Sequence, residues 1–461
     1  MKKTTLITLA LGAGFLALSQ QQRSDMVIKI VGGEQAAIAV PDFRGAGGAQ
    51  AQMAAFNQTL YDDIKDSSLF RMVAKSVMPL EVPQQPSDFK PPLAPREPAR
   101  RGYPPPRPIR QGPWLTDWSG PPVSATYLAF GYAAERDGQF ILFGWLYNVT
   151  QADLANAQVI GKLYFGTLDE AGARKTAREF AADILKQFGA ASLLNSRIFF
   201  VSNRTGAKEI WSMDYTGAGQ KPFTQHRSIT TMPTVSPDGT KLAYTSYRGG
   251  TPAIFIHSTE TGRMLPFYNQ NASMNATADF TPDGTSVVYS STASGWAQIY
   301  IADVNGRGLR RLSSSRAIEV EPKVNPKTGT EIVFVSGRSG PQQIYRMNID
   351  GANVERLTTG EGQASNPAWH PDGRHIAFSW TKGYDPGNFN VFVMDVATRE
   401  FDQLTHGMGR NENASWAPDS RHIVFASDRS GSMQIWTMLA DGTELKQLTT
   451  QGRNEMPVWS R

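Results

Sequence analysis

The sequence predicts an α/β + all-β chain, in which a small N-terminal α/β domain is followed by a six-bladed β-propeller with a composite closing blade. Three observations carry this prediction: a turn motif that recurs at nearly constant spacing, matching strands between its copies, and half-repeats at both ends of the repeated region. Repeats of about 40–45 residues with several short strands are typical of propeller blades. We therefore expect the propeller at residues 191–461 and the α/β domain at residues 20–190.

The recurring turn has the form Pro-Asp-Gly or a close variant of it. Its prolines recur every 44 to 47 residues, at Pro237, Pro282, Pro326, Pro371 and Pro418. Proline presets φ, aspartate accepts hydrogen bonds from backbone amides in the turn, and glycine adopts the positive φ. Each turn leads into an apolar strand, a glycine-containing hairpin, a second strand and a last short strand. One such turn means little, but five in register indicate five blades.

Two partial repeats predict how the ring closes. Residues 197–202 and 209–214 match the middle strands of a blade but have no innermost strand before them. Residues 456–460 match an innermost strand and have no further strands after them. Joining the two gives a sixth blade built from both ends of the propeller, which removes its open edges.

The first part of the chain has a different texture, with mixed strand and helix patterns. Apolar residues at helical spacing predict two helices, and the Asp137-Gly138 pair between apolar runs predicts a hairpin. We expect a Pro-rich stretch at about 79–113 to form an extended or disordered spacer. The predicted strands are 27–31, 36–40, 70–73, 127–133, 140–147 and 159–165, and the predicted helices are 50–65 and 169–188.

The N-terminus predicts export from the cytoplasm. Lys2 and Lys3 precede an apolar run, and a small-x-small pattern ends at Ser19, so residues 1–19 are expected to be a signal peptide. The periplasm is the expected compartment. The chain has no cysteine, which excludes cysteine-based metal sites and thiol catalysis. A net charge of +5 without a long basic block does not favour nucleic acid as a partner.

A polar segment stands just before each predicted innermost strand, where a propeller places loops at the mouth of its central channel. Six such loops would form a continuous rim, which we interpret as a protein-binding face; repeated solvent-exposed turn polarity is the alternative. Methionines in this rim would supply adaptable apolar contacts. The predicted binding residues are Met232, Met274, Asn275, Glu319, Glu321, Ser365, Asn366, Asn411, Glu412, Asn413, Asn454, Glu455 and Met456.

The histidines offer little indication of catalysis. His370, His375 and His422 lie in or beside blade turns, at repeat-equivalent positions where a structural role is sufficient. No His-Glu-x-x-His pattern occurs. We therefore expect no catalytic residues, no cofactor and no metal.

With a signal peptide, a small α/β domain, six blades and a Pro457-Val458-Trp459-Ser460 ending, the sequence resembles the TolB family of the Tol-Pal system. The resemblance implies a non-enzymatic periplasmic scaffold, expected to be a monomer and peripheral to membranes through its partners. It implies that the propeller mouth binds the peptidoglycan-associated lipoprotein Pal and that an N-terminal segment binds TolA, with other outer-membrane proteins as further partners. The implied role is in outer-membrane integrity and cell division. By position, the TolA-binding residues are Met26, Val27, Ile28, Lys29, Ile30 and Val31.

Two departures from the family pattern affect individual contacts. Met274 stands where related sequences tend to have a histidine, and the Pro-rich insertion is not typical of the family. Two other function classes stay open at this point. One is a metal-dependent propeller hydrolase or lactonase that uses carboxylates at the mouth, and the other is a module that binds cell-wall glycan.

Overall fold

The computed structural model describes residues 35–93, 109–407 and 409–460. The predicted signal peptide, the strand predicted at 27–31 and the proposed TolA-binding residues lie outside the described residues. Within the described ranges, no helix has both the length and the apolar character needed to cross a membrane.

The N-terminal domain is built on one mixed sheet with a long central hairpin. In the described part of the chain its path is β3-β1-β4-β5-β6, and β2 pairs with β4. The hairpin turns at Asp137 and Gly138, both of which adopt a positive φ, as the sequence predicts. The strands are β1 Ala37–Ala39, β2 Arg44–Ala46, β3 Arg71–Met72, β4 Tyr127–Arg136, β5 Gln139–Asn148 and β6 Gln158–Thr167.

Two long helices, α1 and α4, cover one face of this sheet. Asp169 caps α4, since its Oδ1 accepts a hydrogen bond from the Gly172 amide at 2.7 Å. Gly144 of β5 leaves room for the Phe180 ring, because a Cβ there would lie 3.1 Å from it. The helices are α1 Met53–Asp66, α2 Thr116–Ser119, α3 Leu154–Ala157 and α4 Glu170–Gln187.

The described ends of the Pro-rich stretch pack on the other face of the sheet. Phe89 is buried and stacks on Tyr147 with ring centroids 5.7 Å apart. Leu93 and Ile109 pair as an antiparallel bridge. Phe89 and the partly buried Val82 thus anchor the first end of this stretch to a second apolar core, whereas Leu93 and Ile109 are 51% and 38% exposed.

The second domain is the predicted six-bladed β-propeller. Among the described residues it consists of six four-stranded antiparallel sheets, each with its strands in chain order except at the closure. Buried clusters lie between successive sheets, so each blade packs on its neighbours through both faces. This explains why the middle strands are apolar at nearly every position.

Every blade contributes one strand to each of four concentric layers. The innermost strands are β10 Thr230–Val235, β14 Asn275–Phe280, β18 Glu319–Val324, β22 Ala364–Trp369, β26 Asn411–Trp416 and β30 Asn454–Trp459. The second strands are β7 Arg197–Thr205, β11 Lys241–Ser246, β15 Ser286–Ser294, β19 Glu331–Ser336, β23 His375–Trp380 and β27 His422–Ser427. The third strands are β8 Ala207–Asp214, β12 Ala253–Ser258, β16 Trp296–Asp303, β20 Gln343–Asn348, β24 Asn390–Asp395 and β28 Gln434–Leu439. The outer strands are β9 Lys221–Pro222, β13 Met264–Leu265, β17 Arg310–Arg311, β21 Glu355–Arg356, β25 Phe401–Gln403 and β29 Lys446–Gln447.

The closing blade is composite, as the half-repeats predict. Its strand order is β30-β7-β8-β9, with Trp459 opposite Ile198 in an antiparallel register. The Trp459 indole donates a hydrogen bond to Ser196 Oγ at 3.0 Å. The C-terminal strand thus lies in the innermost layer and closes the ring.

The two ends of the propeller differ in what they contact. We call the end with the Pro-Asp-Gly-type turns the turn face, and the opposite end, where the innermost strands begin, the entry face. The N-terminal domain contacts the turn face: the Tyr215 hydroxyl donates to Asp63 at 2.7 Å, and Ser68 donates to Glu444 at 2.8 Å. In the described structure the entry face is therefore on the far side from these contacts.

Candidate functional site

Every innermost strand carries the same irregularity at its third residue. The pairing register with the second strand shifts there, as in a β-bulge, and the residue adopts a positive φ. Left-handed backbone costs a non-glycine residue about 1–2 kcal/mol. The bulge occurs in all six blades and is therefore a regular feature of the blade in this chain. The residues, here called the bulge ring, are Met232 (φ 54°), Thr277 (52°), Glu321 (55°), Asn366 (52°), Asn413 (56°) and Met456 (50°).

The bulge ring lines one end of the central channel. A cavity of about 430 Å³ runs along the innermost strands from the bulge ring to the prolines of the turn face. All six bulge-ring residues belong to its wall. The predicted binding residues among them are Met232, Glu321, Asn366, Asn413 and Met456, which the structure brings together around one opening.

The placement of the predicted rim in loops is wrong, because all of its residues except Met274 lie inside the innermost strands. The first residue of every innermost strand is buried within the blade. Glu319 accepts hydrogen bonds from Ser336 Oγ and Arg338 Nε, both at 3.0 Å. The buried first residues that belong to the predicted rim are Asn275, Glu319, Asn411 and Asn454. As folded, they cannot form much of a contact surface.

Arginines from the hairpin between the second and third strands of the same blade donate hydrogen bonds to three of these buried side chains. Besides Arg338 at Glu319, Arg429 Nη2 donates to Asn411 Oδ1 at 2.7 Å, and Arg204 Nη2 donates to Asn454 Oδ1 at 3.0 Å. A sequence signal for this contact exists, since a Ser-x-Arg triplet follows the corresponding second strands. The triplets are 202–204, 336–338 and 427–429.

The second residue of the strand carries the remaining predicted side chains. Glu412 accepts two hydrogen bonds from Arg410 Nη2 at 2.9 Å. Glu455 is buried between Lys208 and Arg453, with Arg453 Nε at 3.2 Å. Ser365 is half-buried and donates to Asn366 Oδ1 at 3.2 Å. Three of the four glutamates of the predicted rim, Glu319, Glu412 and Glu455, are thus paired with cations rather than presented as a negative ring.

Three charged side chains lie inside the channel. Glu321 accepts a hydrogen bond from the Asn366 backbone amide at 2.7 Å, and its removal from water raises the pKa of this carboxyl. Lys323 Nζ lies 3.2 Å from Asp279 Oδ1, which also accepts from the Thr234 hydroxyl at 2.9 Å. The channel is therefore lined by mutually satisfied polar groups from neighbouring blades.

Sequence reasoning missed the apolar residues of the entry face. Ile229 and Ile318 stand immediately before β10 and β18 and are 50% and 49% exposed. Trp296, 54% exposed, and Tyr247, 41% exposed, belong to hairpins at the same end. We call Ile229, Tyr247, Met274, Trp296 and Ile318 the apolar half. Clustered exposure of large apolar side chains marks interaction sites more often than chance does.

The other three blades differ at the position that precedes the innermost strand. It is occupied by Gln363, Arg410 and Arg453, whereas the first three blades have Ile229, Met274 and Ile318 there. An alignment of the six repeats at this position would have revealed the difference between the apolar and the polar blades from the sequence alone. The entry face is therefore apolar on the side of the first three blades and polar to basic on the opposite side.

Comparison with known proteins is consistent with this architecture. A sequence family described as the TolB beta propeller domain matches residues 186–383 and 358–461. The chain belongs to the TolB β-propeller family. A crystal structure of TolB from Acinetobacter baumannii superposes with a TM-score of 0.71 at 21% identity, over 93% of this chain and 97% of that one. The TolB fold therefore extends over both domains.

Curated TolB relatives match over shorter stretches. A protein TolB homolog from Chlorobium chlorochromatii is 34% identical over 142 residues, which is 31% of this chain and 31% of the relative. A Tol-Pal system protein TolB from Desulfosudis oleivorans is 34% identical over 162 residues, 33% of this chain and 35% of the relative. The chain thus spans about a third of the length of these TolB relatives in the matched regions.

Proposed function

We propose that this protein is a non-catalytic, periplasmic protein-binding component of a Tol-Pal system, and that its entry face binds the peptidoglycan-associated lipoprotein Pal. The observation that carries the proposal is the entry face itself. It combines a strained ring of side chains around the channel opening with an adjacent apolar half, on the side of the propeller that the N-terminal domain leaves uncovered. Membership of the TolB family supports the choice of system.

The chemistry of this face favours a protein over a small substrate. Its exposed groups are isoleucine, methionine, tryptophan and tyrosine on one side and arginine on the other, a composition enriched in protein interfaces. A partner segment with apolar residues facing Ile229 and Ile318 and with acidic residues facing Arg453 would fit it. The Glu412 and Glu455 carboxylates are already paired with cations, so they contribute orientation more than attraction.

The remaining contacts are proposed on the family resemblance. TolA is assigned to Met26–Val31, which lie outside the described residues. The protein is proposed to act as a monomer that reaches both membranes through its partners, and thereby to link the inner-membrane Tol complex to Pal.

The test is a binding titration of the full mature chain with the periplasmic domain of Pal. Wild-type protein should bind, and Ile229→Asp or Ile318→Asp should weaken binding by about tenfold or more, as truncation of a central apolar contact does. Leu309→Asp is the matched control, because Leu309 is an exposed aliphatic residue, 38% exposed, in a turn-face connection. Absence of wild-type binding would refute Pal as the partner. Equal weakening by Leu309→Asp would refute the placement of the site.

A further inference from the structure

A second site with possible ligand chemistry lies on the turn face of the fourth blade, away from the channel opening. There the turn sequence is His370-Pro371-Asp372-Gly373-Arg374-His375. Among the described residues, His370, Asp372 and His375 form the one group of three histidine or carboxylate side chains whose ligand atoms all lie within 4.8 Å of one another. None of the three has a part in the proposed protein-binding surface.

The Asp372 carboxylate lies between the two imidazoles. Its Oδ1 is 3.0 Å from His370 Nδ1 and its Oδ2 is 2.6 Å from His375 Nδ1. The two histidine side chains are only 6% and 9% exposed, whereas that of Asp372 is 36% exposed. The three groups therefore form a small polar pocket whose only side open to solvent is that of the carboxylate.

The hydrogen bonds of His370 fix which of its nitrogens carries the proton. Nε2 lies 2.9 Å from the carbonyl oxygen of Ser420, which can only accept, so Nε2 carries the proton. Nδ1 accepts a hydrogen bond from the Asp372 backbone amide at 3.1 Å, so it presents a lone pair. That lone pair also faces Asp372 Oδ1 at 3.0 Å. Two acceptors thus face each other: Oδ1 also accepts from the Arg374 amide at 2.7 Å and the His375 amide at 3.1 Å, and a bound cation would replace the contact between Nδ1 and the Asp372 amide.

The outer nitrogen of His375 is arranged in a similar way. His375 Nε2 is 3.8 Å from Asp395 Oδ2, so a proton on Nε2 would face a carboxylate while Nδ1 faces Asp372. Metal-binding histidines almost always direct their second nitrogen at a carboxylate or a backbone carbonyl, which fixes the tautomer. His370 has such an acceptor at hydrogen-bond distance, and His375 has a carboxylate 3.8 Å from its second nitrogen.

The fifth blade provides an internal comparison. Its turn keeps the aspartate–histidine contact, with His422 Nδ1 2.6 Å from Asp419 Oδ2, but it has Ala417 at the position of His370. The pair alone is therefore a structural element of these turns. His370 is the addition that turns a two-residue contact into a set of three convergent ligands.

We propose that His370 Nδ1, His375 Nδ1 and the Asp372 carboxylate bind one zinc-class divalent cation, with the remaining coordination position open to water. Two imidazoles and one carboxylate form a donor set that Zn²⁺ and its borderline neighbours favour over Mg²⁺ or Ca²⁺. Binding displaces the proton on His375 Nδ1, which leaves to solvent while Nε2 keeps or gains the proton that faces Asp395. Because His370 also holds the Ser420 carbonyl, the bound cation would tie the turns of the fourth and fifth blades together.

The experiment uses the full mature chain without a histidine tag, stripped of metal and titrated with Zn²⁺ by calorimetry, and with Co²⁺ by visible spectroscopy. One equivalent should bind, and Co²⁺ should give the intense d–d bands of a site with fewer than six ligands. His370→Ser should weaken binding by more than about tenfold, since even outer-shell partners contribute that much. Serine is compatible with the turn, because Ser236 occupies this position in the first blade and donates to Asp238.

His422→Gln is the matched control, since it removes a histidine from the sister turn and should leave the affinity unchanged. Circular dichroism verifies that both variants are folded. Failure of the folded wild-type chain to bind an equivalent of either metal would overturn the proposal. So would equal affinities of wild type and His370→Ser. Pal binding is measured separately and does not depend on this site, so the two proposals fail independently.

Discussion

Asp63 makes stability depend on pH at the contact between the two domains. It lies on α1, and its Oδ1 accepts a hydrogen bond from the Tyr215 hydroxyl of the composite blade at 2.7 Å. Burial raises the pKa of Asp63 from 3.8 to about 6, and the nearby Asp66 and Asp62 add to the rise, against the opposing effects of Tyr215 and Arg178. The folded protein therefore binds a proton at Asp63 more tightly than the unfolded chain does.

The size and sign of the effect follow from this pKa. A rise of about 2 units corresponds to roughly 3 kcal/mol, at about 1.4 kcal/mol per unit. Because the folded pKa is the higher one, this stabilisation is fully present below about pH 4 and is lost as the pH rises through about 6. At pH 7 the ionised carboxylate thus lowers the free energy of unfolding by up to about 3 kcal/mol relative to its protonated form.

Asp63→Asn removes the charge but keeps an oxygen that can accept from Tyr215. The variant should be more stable than wild type at pH 7, by up to about 3 kcal/mol, and the difference should vanish toward pH 4. Urea unfolding followed by tryptophan fluorescence at half-unit steps from pH 4 to 7.5 measures it. Asp137→Asn, in an exposed hairpin turn, removes the same charge away from the interface and serves as the control. A constant difference between Asp63→Asn and wild type across this range would refute the reasoning.

Three further substitutions test the propeller. Glu319→Ala should lower the free energy of unfolding by roughly 3–5 kcal/mol in urea titrations, because it leaves the Arg338 charge without its buried partner; a loss under 1 kcal/mol would contradict this. Trp459→Ala should cost about 3–5 kcal/mol by opening the composite blade, whereas Trp296→Ala, at an exposed position, should stay within about 0.5 kcal/mol in the same assay. Met232→Val should reduce the melting temperature because a β-branched residue resists a φ of 54°, whereas Met232→Asn should keep or raise it. Equal melting temperatures of the two Met232 variants would argue against backbone strain at the bulge.

The repeated part of the fold could be predicted from sequence because its signals repeat with it. Each Pro-Asp-Gly-type turn has local chemistry that fixes a reversal of the chain, and five copies fix the blade period. The composite closure could also be predicted, since an innermost strand at 456–460 and middle strands at 197–214 have no other partners in the repeat pattern. These predictions needed only local turns and spacing.

The bulge ring could not be predicted because its residue types have nothing in common. Asparagine is a common residue at positive φ, and Asn366 and Asn413 fit that preference, but Met232, Thr277 and Glu321 do not. The conformation is imposed by the register shift against the second strand, which is a tertiary effect. For this reason the sequence predicts loops at positions where the innermost strands have already begun.

Burial of the first strand residues was hidden for a different reason. Asparagine and glutamate at the start of a strand indicate exposure when they are considered alone. Glu319 and Asn411 are nevertheless buried, because an arginine about 18 residues later in the sequence folds back to satisfy each of them. Neither residue alone indicates burial, which can be predicted only when the strand residue and its arginine are considered together.

The distribution of strain connects the fold to the proposed function. Each positive-φ residue of the bulge ring costs about 1–2 kcal/mol, so six of them cost an amount similar to the net stability of a domain. The strain at the bulge ring recurs in all six blades and directs these side chains at the channel. A propeller that served only as a spacer would gain stability by losing the bulges, which favours a binding role for the entry face over a purely structural one.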